Sequence, residues 1–550
     1  MIQEKEIARP ADGTAERAAM EMTACRASIP IFKSSIYQKL WRFFIVKDIS
    51  KKVLAVIDDH EKNGDVYHDR TDIIARVQGR YPEITDDEIN MTLIHLSQDG
   101  YLIRIDDDYC VTETHYAEDQ AARQIAEIIR HNEPPTVLDA ASALAAVEAE
   151  LGFRLSSGQH EAIRGALGHR MSIITGGPGT GKTTVLKVLC DAFVAAGETG
   201  GICLMAPTGK AARRLSEQTR RPAATVHSIL QRLDREDSYL ASSLVVVDEA
   251  SMLSITLLYD LLKVISSGAR LVLVGDPDQL PAVGPGRVLA DLMASGLPTY
   301  RLQSNFRQSC HSLICEDLKL IKDRTPALRF DSNEVLLLET MSSQDTEYLA
   351  LSIYLALRAE HGNQVQMLTP VGPAGGVCSA RQFNCLAQDH INPHAPAKLE
   401  VAIDGTTYRL GDRVIQLQNN SFARNGDIGT IVGIVGDSSI TIQIRFDFME
   451  DGVICYPLRE LEGGLIQLAY ALTIHKAQGS EYDYVVIPLA NEHVFSWSNN
   501  MIYTAISRAK KRVVLVGSRW LLEHAIQTSL PPCRSEFAEK IRRYLAEPAA

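Results

Sequence analysis

Eight residues, Gly176-Gly177-Pro178-Gly179-Thr180-Gly181-Lys182-Thr183, constrain this chain more than any other stretch. They follow the apolar run Met171 to Thr175 and open a helical pattern at Thr184. Glycines at this density let successive backbone N–H groups point inward, and the N-terminus of the next helix adds positive potential, so the turn is suited to cradling phosphates. On this reading Lys182 reaches the terminal phosphates, Thr183 ligates Mg²⁺, and Gly176 through Gly181 with Thr184 complete the binding loop.

A phosphate loop that supports hydrolysis needs an acidic partner on a neighbouring strand. Leu244-Val245-Val246-Val247-Asp248-Glu249 supplies one at the carboxyl end of an apolar run. Asp248 is expected to share Mg²⁺ with Thr183, and Glu249 to polarise the attacking water. Asp-Glu after a strand can also be a helix start, but behind this loop the catalytic reading prevails. The expected cofactors are ATP and Mg²⁺.

With 550 residues the chain is too long for one hydrophobic core, and about two to four compact units are expected. Its net charge of -12 argues against a general nucleic-acid coat, which needs Lys and Arg to replace counterions, but leaves room for a local basic track. The ten cysteines are scattered without a CxxC pair, and His311 near Cys315 has no second ligand pair. They read as reduced core thiols, with no structural zinc. Residues 1–28 carry Glu4, Lys5, Glu6 and Arg9 where a signal peptide would be apolar, and read as a disordered tail. No apolar run is long enough to span a bilayer, so a cytoplasmic protein without a membrane partner is expected.

Residues 29–134 read as a helical, winged-helix-like N-terminal domain. Thr85 with Glu88 forms a capping-box signature, Ile89, Leu93 and Leu96 share one helix face, and the alternating segment Tyr101 to Val111 resembles a hairpin. That hairpin carries Asp106, Asp107 and Asp108, which repel phosphates, so a structural or protein-docking role is favoured over DNA binding. From 135 to 300, short β-branched runs alternate with helical segments, the pattern of a parallel sheet covered by helices. A second such set occupies 301–398 and 464–530. Between its halves, 399–463 shows short strands and the turns Asp404-Gly405, Gly411-Asp412, Asn425-Gly426 and Asp451-Gly452, a small inserted β-barrel. Residues 531–550 read as a C-terminal helical tail.

Further motifs separate a motor from a generic nucleotide binder. They are Ala206-Pro207-Thr208-Gly209-Lys210 through Leu215, Ala224-Thr225-Val226-His227, Gly275-Asp276-Pro277-Asp278-Gln279, Asn305-Phe306-Arg307-Gln308, Leu472-Thr473-Ile474-His475-Lys476-Ala477-Gln478-Gly479 and Tyr503-Thr504-Ala505-Ile506-Ser507-Arg508. In these the chain resembles the superfamily 1 helicases and, within them, the RecD-like branch, over nearly everything from Leu155 to about Gly517. Gly411 through Gly429 is similar to the SH3-like barrel of that branch.

The resemblance implies an α/β fold of two RecA-like motor domains with parallel sheets, an SH3-like barrel inserted in the second, and a small N-terminal domain. It implies that Gln159, in Leu155-Ser156-Ser157-Gly158-Gln159, reads adenine, that Gln279 senses the γ-phosphate, and that Arg307 and Arg508 are arginine fingers from the second domain. Thr208, Lys210, Arg213, His227, Thr369, Thr473, His475, Lys476 and Gln478 become the expected strand contacts, since hydroxyls, amides and cations hold phosphates without reading sequence. Arg214, Arg220, Arg221 and the cluster Lys510-Lys511-Arg512 read as solvated faces. The implied activity is ATP-driven 5′-to-3′ movement on single-stranded DNA and unwinding of tailed duplexes, in repair or recombination.

The pattern thins in two places. Residues 1–130 show no helix-hairpin-helix repeat, and the strand-separating pin expected over about 231–243 is short and polar. The N-terminal histidines form no HxH pair, which disfavours a relaxase, and no nuclease carboxylate cluster stands out. The competing expectations are an RNA-directed helicase and an ATP-switched scaffold that recruits a protein partner through its N-terminal domain.

Overall fold

A computed structural model describes residues 48–130, 140–198, 200–266, 268–304, 312–331, 333–372, 376–420, 422–436, 440–449 and 451–547. The tail expected over residues 1–28 and the expected finger Arg307 lie outside the described residues.

The strand that ends at the phosphate loop, Met171–Gly176, belongs to a six-stranded parallel sheet. Its order is Ala223–Thr225, Gly201–Ala206, Ser242–Val247, Arg270–Gly275, Met171–Gly176, Thr299–Leu302. Successive residues of a strand point to opposite faces, and here the alternation sorts them into two cores. Ile173, Val245, Val247, Leu271 and Leu273 join one cluster, while Ile174, Leu244, Val246, Val272 and Val274 join the other. Both faces are therefore buried, which is why these strands read as continuous apolar runs.

One face is covered by Ala140–Leu151, Ser157–Gly168 and Lys182–Ala195. The other is covered by Val226–Glu236, Ile255–Val264 and Val288–Ala294, and also by Thr112–Arg130 and Phe537–Ala546. The last two helices differ from the sequence expectation, which places the first in an N-terminal domain over 29–134 and the second in a C-terminal tail over 531–550. Ala117, Ala121, Ile125 and Ile128 form an apolar stripe on the first, and Phe537, Ile541 and Tyr544 one on the second, so both helices gain more from this core than from water. The buried Lys540 ammonium holds them together, donating to Glu118 Oε2 and Tyr67 Oη at 2.7 Å each. Residues 231–236 continue the helix Val226–Glu236, and Ser242 already opens the next strand, so no separate pin element forms there.

The second lobe is a five-stranded parallel sheet ordered Val335–Glu339, Ala509–Gly517, Tyr482–Leu489, Val365–Thr369, Ala471–Thr473. The expected insertion is present as an antiparallel sheet ordered Ile454–Pro457, Thr441–Phe446, Ile428–Val435, Arg413–Gln416, Ile466–Leu468, its last strand lying beyond the 463 boundary. Asp412 fastens the insertion to the lobe. Its buried carboxylate accepts from Asn392 Nδ2 (2.6 Å), Tyr470 Oη (2.9 Å), Gln388 Nε2 (2.5 Å) and the Arg409 N–H (2.7 Å). The fold class is thus the expected one, two parallel α/β sheets with an SH3-like sheet inserted in the second.

Of the described residues, 48–57 and 71–99 form a small compact unit, and 58–70 with 100–547 form the large one. In the small unit Thr85 and Glu88 make the expected reciprocal cap of Asp86–Gln98, with Ile89, Leu93 and Leu96 buried. The hairpin Leu102–Ile105 and Asp108–Val111 belongs to the large unit, where His68–Asp69 adds a third strand. Helices and hairpin expected as one winged unit are therefore divided between two. No described helix is long and apolar enough to cross a membrane.

Two stability outcomes follow. Asp412→Asn turns an acceptor-only hub into one that presents N–H groups to donors, and should cost about 2–4 kcal/mol, read as a lowered denaturant midpoint of the second lobe. Lys540→Met should cost about 3 kcal/mol by leaving Glu118 without its cation, and Lys540→Met with Glu118→Gln should recover most of that loss in the same assay.

Candidate nucleotide and nucleic-acid site

The phosphate loop turns on two glycines in left-handed backbone, Gly179 (φ 77°) and Gly181 (φ 81°), a conformation other residues adopt at a cost. Gly181 then stands at the N-cap of Lys182–Ala195 and leaves the first N–H groups of that helix free of side-chain caps. A side chain at Gly176 would collide with Thr180 Oγ1 at 2.5 Å. Lys182 Nζ lies across the loop, donating to the carbonyls of Gly176 (2.6 Å) and Gly177 (3.1 Å).

Asp248 lies one residue past the end of Ser242–Val247, its N–H bonded to Met205 O at 2.9 Å. Burial and the neighbouring charge of Glu249 hold its carboxyl above the usual carboxylate range. Glu249 adopts φ 53°, uncommon for a residue with a side chain, and this bend turns it into the same cleft. The cleft, of about 560 Å³, brings Gly177 through Thr184 together with Asp248, Glu249, Gln279 and Arg508. Thr183 and Asp248 offer a hydroxyl and a carboxylate, the hard oxygen donors suited to a magnesium ion.

Arg508 comes from the second lobe, at the end of Asn499–Ser507, and is 4% exposed. Burial lowers its pKa from the usual arginine value. Its Nη2 donates to Gln279 Oε1 at 2.8 Å, and its remaining N–H groups reach Thr504 O, Ser507 Oγ and Ser480 O. Gln279 Nε2 in turn donates to Asp276 Oδ2 (3.3 Å), which also accepts from Tyr503 Oη (3.0 Å). The seam is closed further by Leu280 N–H on Thr504 Oγ1 and Gln478 Nε2 on Leu280 O, each 2.8 Å.

Some expected site residues stand elsewhere. Gln159 is buried outside the cleft lining, and its carbonyl oxygen is used in a capping box, accepting from Ser156 N–H at 3.0 Å. Conversely, Phe153 (49% exposed) forms part of the cleft wall and was missed. The available signal was a large aromatic beside Gly152, which turns the chain at φ 70°. Arg214 and Lys510, read as solvated, also line the cleft, paired with Glu481 at 3.1 and 3.4 Å. Their carboxylate partner comes from the turn after Ala471–Thr473, which no local pattern connects to residue 214.

The expected strand contacts gather at the carboxyl ends of both sheets. Thr208 caps Gly209–Thr219, accepting from Ala211 N–H, and the Lys210 ammonium lies 5.1 Å from the Tyr482 ring centre. Gly479 sits so close that a Cβ there would be 3.3 Å from Thr208 Oγ1. Thr369 pairs in register with Thr473, and Thr473 Oγ1 accepts from Lys476 N–H. His227 is exposed, His475 is half-buried with its pKa lowered by burial, and Lys476 bonds Gln467. Thr369 and Gln478 are buried, the first bonded to Val371 O and the second across the seam. The Arg213 guanidinium is taken up by Asp427 of the barrel.

Three family descriptions match successive parts of the chain: an AAA domain over residues 154–335, an ATP-dependent RecD-like DNA helicase SH3 domain over 383–446, and a UvrD-like helicase C-terminal domain over 468–516. An ATP-dependent RecD2 DNA helicase of Deinococcus radiodurans is 34% identical over 71% of this chain and 53% of its own length. The RecD subunit of the RecBCD enzyme of Mycobacterium tuberculosis is 30% identical over 67% of this chain and 70% of its own. The chain thus spans about half the length of the first relative and somewhat over two thirds of the second. A solved Pif1 helicase from Candida albicans aligns with a TM-score of 0.43 at 15% identity, over 67% of this chain and 96% of that one. On the three family descriptions and the RecD relatives, the chain belongs to the RecD-like family of superfamily 1 ATP-dependent DNA helicases.

Proposed function

We propose that this chain is an ATP-driven translocase that moves 5′-to-3′ on single-stranded DNA and unwinds tailed duplexes, serving DNA repair or recombination in the cytoplasm. The observation that carries the reading is the Arg508–Gln279 contact, which joins the two lobes inside the phosphate cleft. In this reading Lys182 and the N–H groups of the loop bind the terminal phosphates of ATP. Thr183 and Asp248 hold Mg²⁺, which when bound neutralises phosphate charge. Glu249 takes the proton of the attacking water, and Arg508 stabilises charge on the transferring phosphoryl group. Gln279 touches both the first-lobe carboxylate Asp276 and the second-lobe Arg508, so it links the phosphate end of the cleft to lobe closure.

Coupling follows from that geometry. A nucleotide bonded to both lobes favours their closure, and loss of the γ-phosphate removes part of what bridges them. Thr208 and Lys210 on one lobe, with Thr473, His475 and Lys476 on the other, then grip phosphates alternately. The RecD2 relative, named a DNA helicase, and the match to the SH3 domain of RecD-like DNA helicases support a DNA role. The absence of a separate pin element between 231 and 243 favours translocation over strong strand separation. The small N-terminal unit remains the proposed docking point for a protein partner.

Three outcomes test this reading. Arg508→Ala should lower strand-stimulated kcat about a thousandfold, with Lys182→Ala as the inactive control; turnover of Arg508→Ala equal to wild type would remove the finger role. Poly(dT) should stimulate hydrolysis more than poly(U), and equal or greater stimulation by poly(U) would reassign the motor to RNA. Duplexes with a 5′ single-stranded tail should be unwound and those with a 3′ tail left intact; the opposite preference would reverse the polarity.

A further inference from the structure

The barrel is rooted in the second lobe through Asp412, yet one of its loops is bonded to the first. Arg213, on Gly209–Thr219, donates from Nη1 and Nη2 to Asp427 Oδ1 (2.9 Å) and Oδ2 (3.3 Å). Its guanidinium carbon also lies 3.4 Å from the centre of the Phe448 ring. The barrel therefore occupies one donor edge and one face of this side chain. Asp427 is 3% exposed and accepts a further bond from Arg424 N–H (2.8 Å). Arg424 in turn packs so tightly on Gly209 that any side chain at 209 would collide with it. On its other flank the same helix meets Glu481 through Arg214 (3.1 Å), beside the nucleotide cleft.

A two-pronged, charge-assisted pair has strict geometry, and separating it would leave a buried carboxylate without its cation. A ring against the guanidinium adds to the cost of parting them. Beyond the bonds along the nucleotide seam, Arg508–Gln279 among them, the lobes are thus also fastened at the barrel by Arg213–Asp427. The barrel fastening uses the donors that a strand phosphate would need.

We propose that Arg213, with Asp427 and Phe448, is a latch that holds the two lobes closed from the barrel side, so that it positions the lobes for ATP binding instead of gripping the strand. The proposal rests on the reading that ATP bridges both lobes. If the nucleotide binds the closed arrangement, its apparent affinity scales with the fraction of closed molecules, and weakening the latch weakens nucleotide binding at a distance. Arg213 and Asp427 do not line the cleft, so a direct contact with nucleotide does not explain such an effect.

The test uses the full chain with Arg213→Gln, Asp427→Asn, their combination, and Phe448→Ala as a variant that leaves the buried carboxylate paired. A fluorescent ATP analogue is titrated without DNA, ATP turnover is measured with poly(dT), and a labelled oligo(dT) is titrated at several salt concentrations. Each single variant should bind the analogue about three- to tenfold more weakly, and the combination no more weakly than the worse single, the mark of a shared interaction. Asp427→Asn should raise KM for ATP by the same factor with kcat within twofold. The latch is overturned if analogue affinity is unchanged in both charge variants. It is equally overturned if Arg213→Gln alone weakens oligo(dT) binding and flattens its salt dependence by about 0.7 in log–log slope, while Asp427→Asn strengthens binding, because Arg213 then grips a phosphate. Analogue binding needs no strand, so a wild-type chain that binds the analogue yet moves on no polynucleotide would sink the motor reading while leaving the latch still measurable.

Discussion

A single hydrogen bond, Arg508 Nη2 to Gln279 Oε1, lies where both lobes and the phosphate loop converge. An arginine this deeply buried is costly unless every donor finds an acceptor, and here Thr504 O, Ser507 Oγ, Ser480 O and Gln279 accept from it. Three of these acceptors come from its own lobe and one from the other. The second lobe therefore pre-orients the guanidinium, and the first lobe completes its coordination. Asp276 extends the arrangement by taking Gln279 on one side and Tyr503 on the other, so the seam itself is polar and specific.

The remainder of the large unit supplies rigid platforms for that seam. Asp412 collects four donors and welds the barrel to the second lobe, so a contact made by the barrel is a contact made by the lobe. Glu118 and Lys540 do the corresponding work on the first lobe, fastening the chain's last helix across one face of the six-stranded sheet. Buried polar groups of this kind are costly when half-satisfied and specific when complete. The Arg213–Asp427 pair joins the two platforms on the barrel side, away from the nucleotide cleft.

The sequence was informative wherever chemistry is local. The glycines of the phosphate loop and Asp248 at the end of its strand carry their meaning in spacing, Gln279 and Arg508 were marked by the family resemblance of their motifs, and all but Gly176 meet on the cleft wall. The apolar runs announced buried parallel strands because both faces of each sheet are covered. Turn dipeptides announced the barrel because two-residue reversals demand glycine or its neighbours at fixed positions. Gln159 shows the limit, since an amide at the third position of a helix serves a capping box as readily as a base.

By itself, the sequence determined the two parallel sheets, the inserted barrel and the set of groups able to handle a nucleotide, because backbone preference and side-chain periodicity act over a few residues. Only the tertiary structure decided which cations are committed to protein. Arg213 meets a carboxylate 214 positions away, Arg214 and Lys510 share Glu481, and Lys540 closes on Glu118 from the far end of the chain. Phe153 joined the cleft, and the helices Thr112–Arg130 and Phe537–Ala546 joined the first core, for the same reason. Burial and pairing depend on what lies across an interface, and the sequence near a residue carries no record of that neighbour.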